Sequence, residues 1–140
     1  MNGFLLGTNC ISEVVSPRPE RRVLDWLDRT DEALLHLSVL TLGEIRKGIA
    51  GLAQGKRRTQ LESWRETDLP ARFSGRILTI DRSVADRCGS ISADAKRKGK
   101  TVASIDAFLA ATALHFELTL VTRNTNDFAP ARVSLLNLWQ

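Results

Sequence analysis

Cysteine is scarce in this 140-residue chain: Cys10 and Cys88 are the only two, and neither sits in a C-x-x-C pair. That argues against a disulfide framework and against a thiolate zinc site. Long apolar runs are missing as well. The stretch around Leu118–Val121 is strand-sized, far short of the roughly 20 residues a membrane-spanning helix needs. The N-terminus has no basic start, and Asn9 and Glu13 interrupt its brief apolar stretch before a signal peptide could develop. The expectation is a cytoplasmic protein with no membrane association. There is no internal repeat, low-complexity tract or linker, and the length suits one domain over residues 1–140.

The content is 43% hydrophobic, that of a globular protein, and the net charge is +4. A pI near 9.6 favours a polyanionic partner without identifying one.

Apolar runs alternate with helical patterns. Phe4-Leu5-Leu6 reads as a short buried strand, ended by Gly7-Thr8-Asn9. A helix carrying Ile11, Val14 and Val15 on one face follows, stopped by Pro17 and Pro19. A second helix runs from about Pro19 to Arg29. Residues 34–39 predict the second strand, and Thr41-Leu42-Gly43-Glu44 fits a capping box opening a third helix to about Gly51. A charged amphipathic helix from Lys56 to about Leu69 is closed by Pro70. Residues 77–80 predict the third strand. Asp81 and Ser83 then start a helix in which Val84, Cys88, Ile91 and Ala95 recur at helical spacing. Ser104 opens an alanine-rich helix, residues 118–122 predict the fourth strand, and residues 133–136 a short fifth. This order predicts an α/β fold with a parallel four- or five-stranded sheet flanked by helices.

In such sheets ligands bind beyond the carboxyl ends of the strands. The residues expected there are Gly7, Thr8 and Asn9 after the first strand, Glu44 on the helix after the second, Asp106 at the start of the alanine-rich helix, and Asn124, Asn126 and Asp127 after the fourth. Carboxylates gathered without partners repel one another, and a divalent cation removes that penalty. Mg²⁺ takes oxygen ligands, usually one or two carboxylates with water and phosphate oxygens, a chemistry suited to phosphodiester hydrolysis. Each acid also has a purely structural reading. Glu44 is the third residue of the capping box, Asp106 favours a helix dipole, and Asp127 is a turn or cap residue.

Four ordered segments resemble those of VapC-type PIN-domain toxins, the ribonuclease halves of bacterial toxin–antitoxin pairs. They are residues 4–13 (FLLGTNCISE), 38–48 (SVLTLGEIRKG), 104–113 (SIDAFLAATA) and 120–128 (LVTRNTNDF), with Leu138-Trp139 similar to the common ending. The resemblance covers essentially the whole chain. It implies a single PIN-like domain and a Mg²⁺- or Mn²⁺-dependent endoribonuclease. It gives Glu44 and Asp106 a metal-site role, with Asn124 or Asp127 as the fourth acidic position. Thr8 and Asn9 shape the first turn, Thr122 adds a hydroxyl, and Arg46 and Lys47 could border the cleft and contact substrate. The implied partners are an RNA substrate, a VapB-type antitoxin and a second copy, giving a homodimer that assembles with antitoxin into a heterotetramer or larger particle.

The departure is Gly7. The family places a metal-binding aspartate there, and glycine offers no side-chain oxygen, so the chain as written is expected to bind metal poorly and cut slowly or not at all. A catalytically dead RNA- or antitoxin-binding module is the competing expectation. Lys56-Arg57-Arg58, Arg65, Arg72, Arg76 and the residues 96–100 are candidate phosphate contacts, each equally explained as a solvated face. Trp26, Trp64 and Trp139 suit core or interface positions better than base stacking, and a Cys10 nucleophile lacks an orienting group.

Overall fold

A computed structural model describes residues 3–140. Its centre is a five-stranded sheet in the order β3-β2-β1-β4-β5, every pair parallel. The strands are β1 (Phe4–Leu6), β2 (Leu35–Ser38), β3 (Ile77–Leu78), β4 (Thr119–Val121) and β5 (Leu135–Leu136). The central strands β1, β2 and β4 carry mostly buried residues, whereas the edge strands β3 and β5 are half-buried. The alternation along β1 sends Leu5 to one face and Leu6 to the other, and Leu120 and Val121 divide in the same way on β4.

One face is covered by α6 (Arg82–Arg97) and α7 (Ser104–His115). The expected stripe on α6 is the buried one: Val84, Cys88, Ile91 and Ala95, with Asp81 capping the helix by accepting from the Val84 N–H. The other face is covered by α1 (Thr8–Ser12), α2 (Arg21–Arg29), α3 (Val39–Ala50) and α5 (Leu69–Arg72), packed around Ile11, Val23, Leu27, Ile45, Leu69 and Phe73. The remaining helices are α4 (Lys56–Ser63) and α8 (Thr125–Phe128). Among the described residues no helix is long and apolar enough to cross a membrane.

Four local expectations differ from the structure. The first helix is α-helical only to Ser12 and tightens into a 3₁₀ turn at Glu13–Val15, which leaves Val14 exposed while Cys10 and Ile11 take the buried face. The second helix starts at Arg21 rather than near Pro19. The third helix begins at Val39, not at Thr41. Ser38 is the cap, its hydroxyl accepting from the Leu40 N–H, and Thr41 is buried inside the first turn with no hydrogen-bond partner for its hydroxyl. Finally, Pro70 does not close its helix. The chain widens into a π turn over Trp64–Asp68, where the Leu69 N–H reaches back to the Trp64 carbonyl, and α5 continues with Pro70 in its first turn. Proline has no N–H to donate there, and an opening turn tolerates that.

Candidate active site

The carboxyl ends of β1 and β4 lie side by side: Leu6 is registered with Val121, and the Gly7 N–H donates to the Val121 carbonyl at 2.8 Å. Just beyond them opens a cleft of about 260 Å³. Its polar lining comes from four separate stretches of sequence: Gly7, Thr8 and Asn9 after β1, Glu44 on α3, Asp106 in the first turn of α7, and Thr122 with Asn124 after β4. Leu109, Leu120 and Phe128 form its apolar floor.

Each polar group is positioned by its element. Gly7 precedes α1 with an extended backbone and offers no side-chain cap. Thr8 donates its hydroxyl to Glu44 Oε1 at 2.7 Å, tying α1 to α3. Glu44 therefore serves no capping box: its recorded side-chain partner is Thr8, across the cleft. Asn9 presents a buried Oδ1 that accepts no hydrogen bond within the protein. The Thr122 hydroxyl accepts from the Asn124 N–H at 3.1 Å, fixing the turn that leads into α8.

Asp106 stands half-buried among like charges. Partial burial pushes its carboxyl above the usual range, and the charges of Asp127 and Glu44 push it further the same way. Asp127 lies on α8, exposed and off the cleft lining, yet near enough for its charge to act on Asp106. Arg46 and Lys47 also lie off the lining. Arg46 points instead to Glu66 of the π turn, at 2.7 Å, where Arg65 pairs with the same carboxylate at 2.8 Å.

The side-chain donors here are all oxygen, the set a hard divalent cation selects over soft metals. Two carboxylates, the unpartnered Asn9 Oδ1 and room for water suit Mg²⁺ or Mn²⁺ in kind. Among the described residues no group of three His, Cys, Asp or Glu side chains is placed to hold an ion, so the acidic donors number two. Gly7 lines the same cleft. A Cβ built on it would lie 3.5 Å from Asn9 Oδ1 and 3.7 Å from the Thr122 Cβ, facing the donors, but also 2.8 Å from the Val121 carbonyl oxygen.

Cys10 adds nothing to this chemistry. It is fully buried, and burial pushes its thiol up to about 12. A second, mostly apolar groove of about 330 Å³ shares Thr8 and Glu44 with the cleft and extends past Ile45, Ile49 and Leu61 to Trp64. Nothing in the sequence pattern marks it, because its walls are assembled from α1, α3 and α4 by tertiary packing.

A doubly covered parallel sheet with an acid-lined cleft at its strand ends is the architecture of a PIN domain, and the PIN domain family model matches residues 4–133. The chain belongs to the PIN-domain family. It is 41% identical to Toxin FitB of Neisseria gonorrhoeae, over 97% of this chain and 98% of that protein. It is 35% identical to the VapC ribonuclease Y4jK of Sinorhizobium fredii, over 98% of both. In the solved structure of FitAB bound to an IR36 DNA fragment, one chain superposes with a TM-score of 0.92 at 39% identity, covering 98% of this chain and 96% of that one.

Proposed function

We propose that this chain is the toxin of a toxin–antitoxin pair and that its cleft is the site of a metal-dependent endoribonuclease, attenuated by glycine at position 7. The observation that carries the reading is the convergence of Glu44 and Asp106 from different helices on one cleft that also contains Gly7. The resemblance to Toxin FitB supports the toxin role, and that to a VapC ribonuclease supports RNA cleavage.

Glu44, Asp106 and Asn9 Oδ1 are the groups that would hold Mg²⁺ or Mn²⁺, with Asn124 and Asp127 flanking them. The chemistry such an ion supplies when bound is Lewis-acid activation of water and neutralisation of phosphate charge. The protein's own part is positional. Thr8 fixes the Glu44 carboxylate, Thr122 fixes the turn carrying Asn124, and the apolar floor of Leu109, Leu120 and Phe128 limits water beneath the acids. Loss of one carboxylate ligand costs several kcal/mol of transition-state stabilisation, on the order of a thousandfold in rate. An antitoxin of the VapB type, a homodimer and a heterotetramer or larger assembly with it belong to the same reading; the likeness to a chain of FitAB bound to DNA supports a partner protein.

The second reading is a binding module that sequesters antitoxin or RNA without cutting. Its support is the missing third acid. Replacing Gly7→Asp separates the two. The nuclease reading expects RNA cleavage that requires Mg²⁺ or Mn²⁺ and is lost again on adding Glu44→Gln or Asp106→Asn. A folded Gly7→Asp protein that leaves RNA intact with either ion sinks it in favour of the module.

A further inference from the structure

A cleft lined by carboxylates repels the polyanion it is meant to receive, so cations at its rim must hold the strand. Most candidate arginines are already engaged. Arg46 and Arg65 share Glu66, Arg72 and Arg76 share Glu32, and Arg97 pairs with Asp94. Arg123 differs. It sits between two cleft-lining residues, Thr122 and Asn124, it is exposed, and among the described residues it forms no ion pair.

It is also held in place. Its guanidinium carbon lies 5.9 Å from the centre of the Trp139 ring, within cation–π range. The Asn137 side chain fastens both partners: its Nδ2 donates to the Arg123 carbonyl at 3.4 Å, and its Oδ1 accepts from the Trp139 N–H at 2.9 Å. Trp139 packs against the buried cluster on that face of the sheet, and its carbonyl accepts from Arg22 Nη1 at 3.4 Å. Arg22 has only a loose pairing with Glu20, at 3.8 Å. Two exposed guanidinium groups thus meet one residue, Arg123 over the Trp139 ring and Arg22 on the Trp139 backbone carbonyl. A cation–π contact uses none of the guanidinium N–H donors, so those of Arg123 stay available for the two parallel hydrogen bonds with which arginine binds phosphate.

We propose that Arg123, oriented by Trp139 and seconded by Arg22, is a substrate-positioning residue that grips a backbone phosphate of single-stranded RNA next to the one in the cleft. This rests on the ribonuclease reading but is tested by binding alone, with the chain as it stands and a labelled single-stranded RNA oligonucleotide, by fluorescence anisotropy across a salt series. Arg123→Gln is expected to weaken binding about five- to tenfold and to reduce the magnitude of the slope of log K against log salt by about 0.7, one single-strand phosphate contact. Arg123→Lys should restore the slope but not all of the affinity, because a point charge replaces a planar fork. Arg22→Gln should weaken binding less than Arg123→Gln does. Wild-type affinity and slope in Arg123→Gln overturn the proposal, and so does absence of RNA binding by the wild-type chain at low salt. Neither result depends on whether the Gly7→Asp protein cuts. Failure of cleavage there with the Arg123 effect intact removes the nuclease reading and leaves the RNA grip standing.

Discussion

The Thr8 hydroxyl donates a 2.7 Å hydrogen bond to Glu44 Oε1 across 36 positions of sequence. Among the described residues it is the one direct side-chain bond between the turn after β1 and the helix after β2, so it sets where the Glu44 carboxylate points. A hydrogen bond to a charged group contributes about 1.5–3 kcal/mol. In the Gly7→Asp protein, Thr8→Val is therefore expected to slow RNA cleavage by roughly ten- to a hundredfold. Thr8→Ser, which keeps the hydroxyl, should stay near the parent rate. Initial rates on one RNA substrate, with circular dichroism to show both variants folded, check this. Equal rates for Thr8→Val and its parent exclude a positioning role for Thr8.

Gly7 joins two strands more closely than a side chain allows. A Cβ there meets the Val121 carbonyl oxygen at 2.8 Å, and that oxygen is already taking the Gly7 N–H. The strand end must shift by a few tenths of an ångström to admit any other residue. Gly7→Ala isolates this steric effect and is expected to lower stability by about 1 kcal/mol in urea denaturation. Gly7→Asp adds a third negative charge to the cleft and should be less stable still without metal. Mn²⁺ should then raise its melting temperature in a concentration-dependent way and leave Gly7→Ala nearly unmoved. Equal Mn²⁺ shifts in the two proteins contradict a ligand position at residue 7.

Much of this could be read before any coordinates. The stripe Val84, Cys88, Ile91 and Ala95 was legible because helical periodicity is a local signal, and the order of strands and helices followed from apolar runs bounded by polar turns. The acids were locatable because a parallel sheet brings its strand ends together. The start of α3 differs because the apolar run 34–39 reads as one strand and Thr41-Leu42-Gly43-Glu44 as a capping box, whereas the strand ends at Ser38, which caps the helix. Only tertiary packing decides that Thr41 is buried within the helix. The π turn before Pro70 and the Thr8–Glu44 bond were invisible for a related reason: each depends on where another element of the chain arrives. The meaning of Gly7 came from family resemblance, since a glycine after a strand ordinarily signals only a turn.

Arg72 donates twice to Glu32, at 2.8 and 3.1 Å, joining the segment before β2 to the end of α5. These hydrogen bonds hold the Glu32 carboxyl below its usual value of 4.5. A depressed folded-state value stabilises the fold above the unfolded value, and the gain is lost as pH falls through the folded one. Both side chains are about a third or more exposed, so the pair contributes a few tenths to about 1 kcal/mol at neutral pH. Glu32→Gln should accordingly lower stability by about that amount at pH 7, and the difference from wild type should shrink as pH falls from the ordinary value of 4.5 through the lowered folded-state one. Urea denaturation at pH 7 and at progressively lower pH measures it. A gap that persists unchanged into acid assigns the effect to packing rather than to ionisation.

Cys10 adjoins Asn9 in sequence and invites the idea of a thiolate nucleophile, but its surroundings argue otherwise. Burial is the main cause that pushes its thiol up to about 12, with the Glu13 charge acting in the same direction. At pH 8 that leaves about one molecule in ten thousand as thiolate. Cys88 is pushed the same way by burial. The folded protein is therefore expected to react slowly with a disulfide reagent such as Ellman's at pH 8, and two thiols should become titratable together once it is unfolded in guanidinium. Alkylating conditions that spare the folded state should leave cleavage by the Gly7→Asp protein unchanged. If one thiol instead reacts rapidly in the folded protein and its modification stops cleavage, the carboxylates are not the chemical centre, and the arrangement of Glu44 and Asp106 around the cleft needs another explanation.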